Sequence, residues 1–399
     1  MAPNKPDVEI DLLANYYDQS GDFGAPQGGL GTEELDNVAG IVVVNVPIDS
    51  NSSLLTSLGA DYYSSASTDR IDYQLSTASA NDLRAYGNVT WTERDLAGGR
   101  TYGIGVGGSV EYDYRSLNGK LTFAQEWDRG ASELSAGIQA FFDEWDLIYP
   151  SELRPGDFIE DAGRESYGLN LSYARIISPR VQIAVTAELV AMRGLLSTPF
   201  HRIYFARDDG GAFRELFLNT PLRDRNTFRF VADDIERLPD TRLKVPVSLR
   251  VNWRVNDVLT LRSFSRYYQD SWEVVGLSSE LELAYALTDE LTFTPTFRYY
   301  DQQASEYYAG FAEHNASDAF YTSDFDLAAF STTKVGLGIR YAPLFGLART
   351  FVANRGLEWR SVSLRGSYYR RNPGLEAVSF TLATGFTLRR RTMAAAKGS

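Results

Sequence analysis

The sequence contains no cysteine and only two histidines, His201 and His314, among its 399 residues. Disulfides, thiolate metal sites and cysteine nucleophiles are therefore excluded, and imidazole chemistry is restricted to two positions. A run of about 20 apolar residues, which a transmembrane helix needs, is also absent. Basic residues are in the minority, because 39 Lys and Arg against 52 Asp and Glu give a net charge of −13. So acidic a chain argues against nucleic acid as a partner.

The chain is rich in aromatic residues, which make up 13% of it, and in alternation between apolar and polar positions. In residues 242–254 every odd-numbered position, from Leu243 to Trp253, is apolar, whereas the even-numbered positions are polar or charged apart from Pro246. A period of two residues is typical of a β-strand with one apolar and one polar face. The pattern recurs at 181–189, 275–287, 291–298, 335–341 and 378–389. The sequence therefore predicts an all-β protein.

About sixteen such segments can be placed, and most exceed the usual strand length of about 5–6 residues in soluble sheets. Their length suits tilted strands that cross a bilayer, which need about 9–11 residues. The predicted strands are 8–18, 37–48, 53–63, 84–94, 101–113, 119–129, 132–145, 164–175, 180–194, 242–254, 258–270, 275–287, 290–302, 328–343, 355–370 and 376–389.

The predicted connections alternate between long and short ones. The long connections are 19–36, 64–83, 146–163, 195–241 and 303–327; the others are mostly tight turns. Tyrosine doublets such as Tyr62-Tyr63 and Tyr299-Tyr300 lie near the long-loop ends, where an aromatic girdle is expected. The sequence thus predicts a transmembrane antiparallel β-barrel of about 16 strands, with long extracellular loops and short periplasmic turns. The alternative is a soluble sandwich, propeller or solenoid, but no fixed repeat of about 40–50 residues is visible.

The barrel is expected to form a single domain over residues 8–391. Residues 1–7 are interpreted as an N-terminal periplasmic stub, and 392–399 as an appended tail. The loop 195–241 is the longest extracellular loop, and its apolar stretches 203–206, 216–218 and 228–231 predict short strands above the barrel or a folded-in constriction. A loop of this length indicates a use in gating or partner docking.

Three stretches carry a family resemblance: 59–72 followed by 76–79, then 298–308, and finally 321–330 leading into 336–341. Across about 59–343 they resemble the bacterial outer-membrane family catalogued as domain of unknown function 3570. The resemblance implies a multi-pass barrel in the outer membrane of a Gram-negative bacterium. It implies no catalytic residues, because the family has no settled activity.

The polar faces of the strands point into the lumen if the apolar faces contact lipid. Two groups of charged residues are then expected on opposite walls, where they would orient polar solutes. The predicted basic wall consists of Arg242, Lys244, Arg250, Arg254, Arg262, Arg266, Arg298 and Arg340. The predicted acidic wall consists of Glu111, Asp113, Glu126, Glu133 and Asp143. The alternative is a lumenal salt-bridge network, or pairing of these charges with loops folded inward as a plug.

The function predicted from these features is a pore for hydrophilic solutes with a charge-lined lumen. The alternative is a plugged, non-conducting barrel that serves as a scaffold or docking platform for a secretion, surface-assembly or extracellular redox partner. An enzyme is not expected, although His201 lies near Asp208 and Asp209 in sequence, and His314 lies near Glu313 and Asp318. These loop histidines are expected to be exposed.

No cofactor is expected, but two acidic segments are weak candidates for cations. Oxygen-rich loops can bind calcium, and the candidate ligands Asp61, Asp69, Asp72 and Asp82 match no EF-hand spacing. The loop 146–163 could bridge to lipopolysaccharide through cations, with outer-membrane lipid as the other expected partner. Gly103, Gly105, Gly107 and Gly108 lie within a strand, so they predict a bare face where a loop or plug packs rather than a nucleotide site.

Overall fold

The computed structural model describes residues 7–65, 81–154, 161–220, 231–352 and 355–390. Strands dominate these ranges, and the single α-helix among them, α1, spans Ala212–Asn219. The strands are β1 Val8–Gly21, β2 Leu35–Pro47, β3 Ser52–Ser65, β4 Asn81–Asp95, β5 Arg100–Val110, β6 Tyr114–Trp127, β7 Ser132–Asp146, β8 Asp161–Ser178, β9 Val181–Gly194, β10 Arg202–Ile203, β11 Asp234–Ile235, β12 Thr241–Arg254, β13 Leu259–Asp270, β14 Val275–Ala286, β15 Leu291–Gln302, β16 Phe330–Tyr341, β17 Ala348–Val352, β18 Arg355–Asn372 and β19 Leu375–Arg390.

A single antiparallel sheet closes on itself to form a barrel. β1 pairs with β2 on one side and with β19 on the other, and β9 pairs with β12 across the longest loop. This sheet has 17 strands, of which β17 is a five-residue hairpin arm beside the start of β18, so sixteen strands form the wall. The predicted all-β antiparallel barrel and its strand number are confirmed.

Each of the sixteen predicted segments overlaps one wall strand, and the main difference is at β5 and β6. The segment 101–113 was expected to be one strand, but β5 ends at Val110 and β6 begins at Tyr114. The backbone N–H of Glu111 donates to the carbonyl of Tyr114 at 2.8 Å, which closes a tight connection. Glu111 and Asp113 therefore lie in a loop rather than on a strand, which corrects their predicted placement.

The outer surface of the wall is apolar. In β12 the alternating residues Leu243, Val245, Val247, Leu249 and Trp253 are all exposed. Large apolar side chains of a water-soluble sheet would be buried in a core, whereas in a transmembrane barrel they form an outward band that contacts lipid. Five tyrosines near the long-loop ends are exposed on this surface: Tyr16, Tyr62, Tyr267, Tyr299 and Tyr368.

The buried apolar core lies in the long loops rather than in the wall. Tyr204, Phe217, Ala232 and Phe311 form its centre, and Leu30, Leu153 and Phe213 pack against them. These residues come from four loops, so the loops form one assembly, here called the loop cap. It comprises the described residues of 22–34, 147–154, 195–220, 231–240 and 303–329.

The secondary structure of the longest loop differs in part from the prediction. Residues 203–206 contribute to the short strand β10, which pairs with β11, but residues 216–218 belong to α1 and not to a strand. Asp209 accepts hydrogen bonds from the backbone N–H groups of Gly211 and Phe213, both at 2.9 Å, and so caps this helix. In the described ranges no helix is long and apolar enough to cross a membrane. Residues 1–6, 228–230 and 391–399 lie outside the described residues.

Candidate functional site: a charged lumen beneath a loop cap

Four of the eight predicted basic residues, Arg250, Arg262, Arg298 and Arg340, border cavities inside the barrel. Arg262 and Arg340 border a cavity of about 530 Å³, which residues of β1, β2 and β19 also line. Arg298 borders an adjoining cavity of about 250 Å³. Arg250 lies over the ring of Phe264, with 5.3 Å between its guanidinium carbon and the ring centroid. Strands from both sides of the closure thus contribute to one polar interior.

Carboxylates lie among these arginines on the same part of the wall. Glu282 pairs with Arg262 at 2.5 Å and with Arg365 at 3.7 Å. Glu188 pairs with Arg266 at 3.4 Å. Together with the other charged residues beside the cavities, these residues form what is here called the charged arc. It extends over β9 and β12–β18, and its basic side chains outnumber the acidic ones. Its members are Glu188, Arg250, Arg262, Arg266, Glu280, Glu282, Arg298, Lys334, Arg340 and Arg365.

Five members of this arc were missed from the sequence: Glu188, Glu280, Glu282, Lys334 and Arg365. All of them occupy polar-face positions of segments that were predicted to be strands, so the alternation itself was the available signal. Ion pairing on the arc fits the alternative of a lumenal salt-bridge network, at least for Arg262 and Arg266.

The remaining members of the predicted basic wall lie at the two ends of β12. Near the long-loop end, Arg242 donates from Nε to Asp270 at 2.8 Å and packs on the ring of Trp272, while Lys244 lies two residues further along the strand. At the short-turn end, Arg254 pairs at 3.1 Å with Asp257, an exposed turn residue. These three residues are therefore placed near the barrel rims rather than beside the central cavities.

The predicted acidic wall is not continuous, which corrects the expectation of two opposed walls. Asp143 is buried near the long-loop end of β7, where Arg164 donates to it from Nε at 2.9 Å and Ser116 donates at 2.7 Å. Glu126 and Glu133 face each other in register at the opposite end of the barrel. Glu126 lies one residue before the end of β6, and Glu133 lies one residue after the start of β7, so both are at the tight turn that joins these strands.

The glycines of β5 make room for side chains of the neighbouring strands. A Cβ on Gly107 would lie 1.9 Å from Asn88 Oδ1, and one on Gly105 would lie 2.5 Å from Lys120 Cε. A Cβ on Gly103 would approach Thr122 Oγ1 to 2.3 Å. One face of β5 was predicted to be bare so that a loop or plug could pack on it, but among the described residues side chains of β4 and β6 fill this space.

Arg202 joins three loops of the loop cap. Its side chain is 1% exposed, and its Nε donates to Glu152 Oε1 at 2.7 Å. Its NH1 group donates to the carbonyl of Pro26 at 3.0 Å. A buried arginine with both a carboxylate and a carbonyl partner fixes the relative positions of these loops.

Arg371, at the end of β18, is a second buried junction. It is 3% exposed and binds Glu33 at 2.5 Å and Asp326 at 3.2 Å, while its guanidinium carbon lies 4.6 Å from the ring centroid of Phe325. Burial raises the pKa of Glu33 to about 7, although the Arg371 charge acts in the opposite direction. The first long loop and the loop 303–329 are thus both attached to the barrel rim.

His201 lies with two carboxylates in the loop cap. Its Nδ1 is 3.4 Å from Glu236 Oε1, and ligand atoms of His201, Glu236 and Asp324 all lie within 4.8 Å of one another. Burial lowers the pKa of His201 and the Glu236 charge raises it, with a net increase. Burial also raises the pKa of Asp324. The predicted neighbours Asp208 and Asp209 are not the partners of this histidine.

His314 is buried rather than exposed, contrary to the expectation. Its Nε2 lies 3.0 Å from the carbonyl of Thr322 and 3.2 Å from Ser323 Oγ. Burial lowers the pKa of this imidazole. A serine beside a histidine is the geometry of an activated nucleophile, but Ser323 is only 2% exposed, so a substrate could not reach it in this arrangement.

Some of the acidic residues proposed for cations lie outside the described part of the chain. Asp61 lies on β3 opposite Arg84 of β4, which is not the all-oxygen surrounding of a calcium site. Asp82 belongs to β4, whereas Asp69 and Asp72 lie outside the described residues. In the loop 146–163, Glu152 is bound to Arg202, and Asp157 and Glu160 are not among the described residues.

A family model described as protein of unknown function (DUF3570) matches residues 56–377. The chain belongs to this family. No curated protein matches it.

Several solved structures are similar to this chain at low sequence identity. One is described as a bacterial polysaccharide outer membrane secretin, with TM-score 0.47, 10% identity, and coverage of 96% of this chain and 98% of that one. Another is the outer membrane protein opdK from Pseudomonas aeruginosa, with TM-score 0.40, 9% identity, and coverage of 96% and 99%. The siderophore receptor PirA from Acinetobacter baumannii gives TM-score 0.43 and 11% identity, and the match covers 90% of this chain and 53% of the receptor.

Proposed function

We propose that this chain is an outer-membrane pore that passes small hydrophilic solutes and favours anions. The observation that carries the proposal is the charged arc, in which arginines and Lys334 outnumber carboxylates along cavities inside the barrel. Barrels of about 16 strands are wide enough to enclose an aqueous channel. Fixed positive charges in such a channel attract anions and repel cations, because the surrounding protein and lipid screen them poorly.

The outer surface supports a location in the outer membrane. The exposed apolar residues of β12 and the tyrosines near the long-loop ends match the apolar band and aromatic girdle of barrels in lipid. Under this proposal the loop cap is extracellular and adjoins lipopolysaccharide, and the tight turns are periplasmic.

The loop cap favours the second candidate, a non-conducting scaffold. Its apolar core, with Tyr204 and Phe311 at its centre, and its buried arginines give it a defined structure rather than a set of mobile loops. A rigid surface of this kind is suited to docking a secretion, surface-assembly or redox partner. The two functions differ in whether ions cross the barrel while the loop cap is folded.

Single-channel recording in a planar bilayer tests the proposal. The wild-type protein should give stable conductance steps with anion selectivity. The double variant Arg340→Glu, Arg365→Glu should shift the reversal potential toward cations, because both residues border the central cavity. Arg180→Glu, in the exposed turn between β8 and β9, is the control, since it reverses the charge of one arginine outside the lumen.

Folded barrels that give no conductance steps would contradict the pore and favour the scaffold. Steps whose selectivity does not change in the double variant would show that the charged arc does not line the conduction path.

A further inference from the structure

The loop cap brings three potential metal ligands together from distant parts of the chain. His201 and Glu236 lie near the two ends of the longest loop, and Asp324 belongs to the loop 303–329. We propose that His201, Glu236 and Asp324 bind one divalent transition-metal ion of the zinc class. The inference does not depend on conduction, because the site lies in the loops and not in the barrel lumen.

The distances suit such an ion. Zinc bonds of about 2.0–2.1 Å to nitrogen and oxygen imply about 3.3 Å between ligand atoms in a tetrahedral site. His201 Nδ1 and Glu236 Oε1 are 3.4 Å apart, and the whole set lies within 4.8 Å. A small movement of the Asp324 side chain would complete three protein ligands, which leaves the fourth position for water.

The local charge also favours a cation. The side chain of Glu236 is 2% exposed, and Asp324 is partly buried beside it. Two carboxylates in a poorly solvated position repel each other, and each loses hydration. The nearby arginines are bound to other acids, Arg371 to Glu33 and Asp326, and Arg237 to Asp234. Glu236 pairs with His201 at 3.4 Å, and the single charge of a protonated imidazole does not balance both acids.

The kinds of ligand indicate which ion is suitable. Imidazole nitrogen suits zinc and its neighbours among the transition metals, whereas calcium and magnesium prefer sites made of oxygen alone. A histidine with two carboxylates therefore favours zinc over calcium.

Supporting hydrogen bonds already orient the carboxylates. Glu236 Oε2 accepts from the backbone N–H of Thr198 at 2.5 Å, and its other oxygen accepts from the Thr322 hydroxyl. Asp324 Oδ1 accepts from the backbone N–H of Asp326 at 3.0 Å. Each oxygen keeps a second lone pair for a metal, and such supporting contacts are typical of metal sites. A bound ion would link the two ends of the longest loop to the loop 303–329.

Isothermal titration of the purified, folded, full-length protein with ZnCl₂ after treatment with EDTA tests the inference. The wild type should bind one equivalent of zinc. His201→Ala and Asp324→Asn should each weaken binding by at least about tenfold, because even the loss of a supporting residue costs that much at metal sites. His314→Gln is the matched control, since it removes the other imidazole of the loop cap, which lies outside the cluster.

A second readout separates coordination from loss of structure. Cobalt bound by the wild type should give a visible absorption spectrum that His201→Ala lacks, while circular dichroism shows the same barrel in both proteins. The inference is overturned if wild-type protein binds no zinc. It is equally overturned if His201→Ala and Asp324→Asn bind as tightly as the wild type, or if His314→Gln loses as much affinity as they do.

Discussion

Arg202 and Glu152 form a largely buried ion pair between two long loops of the loop cap, with 2.7 Å between Arg202 Nε and Glu152 Oε1. The two residues lie 50 positions apart in the chain, so their contact exists only when both loops are folded. Because a buried charge is costly unless it is paired, this contact requires a defined arrangement of the loops around it. The loop cap is therefore a structured unit and not a set of independent loops.

Arg202→Met should loosen the loop cap while the barrel stays folded. Removing one partner leaves Glu152 without its main counter-charge, and breaking a buried pair in this way costs about 3–5 kcal/mol. Limited proteolysis of the native protein should then cut the loop 195–240 faster. Arg207→Met is the control, because Arg207 and its partner Asp233 are partly exposed and such pairs contribute about 0–1 kcal/mol. Equal cleavage of both variants would contradict the role given to Arg202.

The barrel could be predicted from the sequence, because the alternation that specifies each strand lies within a short segment of the chain. Alternation along 242–254 places Leu243 and Trp253 on one face regardless of what the rest of the chain does. The partners of the loop residues could not be predicted in this way. His201 lies close in sequence to Asp208 and Asp209, yet its partner is Glu236, since Asp209 caps α1 instead. The lining of the lumen could be predicted only in part. The sequence indicated which strand faces are polar, but not the register that pairs Glu282 with Arg262.

Gly107→Ala should destabilise the barrel. The new Cβ would lie 1.9 Å from Asn88 Oδ1 and 2.8 Å from the carbonyl oxygen of Gly87, and the second atom belongs to the backbone and cannot rotate away. Overpacking of this kind costs about 1–3 kcal/mol. Gly168→Ala is the matched control on β8, because its nearest contact would be an ordinary 3.9 Å. Denaturant unfolding in detergent measures the stability of both variants. Similar unfolding midpoints would show that β4 can move to accommodate the new Cβ without loss of stability.

Acidification should weaken the loop cap through His314. Burial lowers the pKa of this histidine below its usual 6.5, so the folded protein binds a proton less readily than the unfolded loops do. The stabilising contribution is then fully present above about pH 6.5 and is lost as the pH falls toward the lowered pKa. Limited proteolysis should therefore be faster at pH 5 than at pH 7.5.

His314→Gln isolates this effect from other titrating groups such as Glu33. Glutamine keeps a side-chain N–H for the carbonyl of Thr322 but cannot take up a proton. The pH dependence of cleavage should be smaller in this variant than in the wild type. If wild type and variant respond identically to pH, another group controls the acid sensitivity.

Glu282→Gln should increase the anion selectivity of the proposed pore. Glu282 is the shared partner of Arg262 and Arg365, so neutralising it removes the carboxylate that pairs with both guanidinium groups in the lumen. Both arginines are more than half exposed, and pairs with exposed members contribute about 0–1 kcal/mol, so the barrel should remain stable. Reversal potentials in a salt gradient measure the change.

Glu290→Gln, in the turn between β14 and β15, is the control, because it removes the same charge outside the charged arc and should leave the anion selectivity unchanged. Because Glu282→Gln makes the lumen more positive, whereas Arg340→Glu and Arg365→Glu make it more negative, the selectivity must move in opposite directions if the charged arc lines the path of the ions.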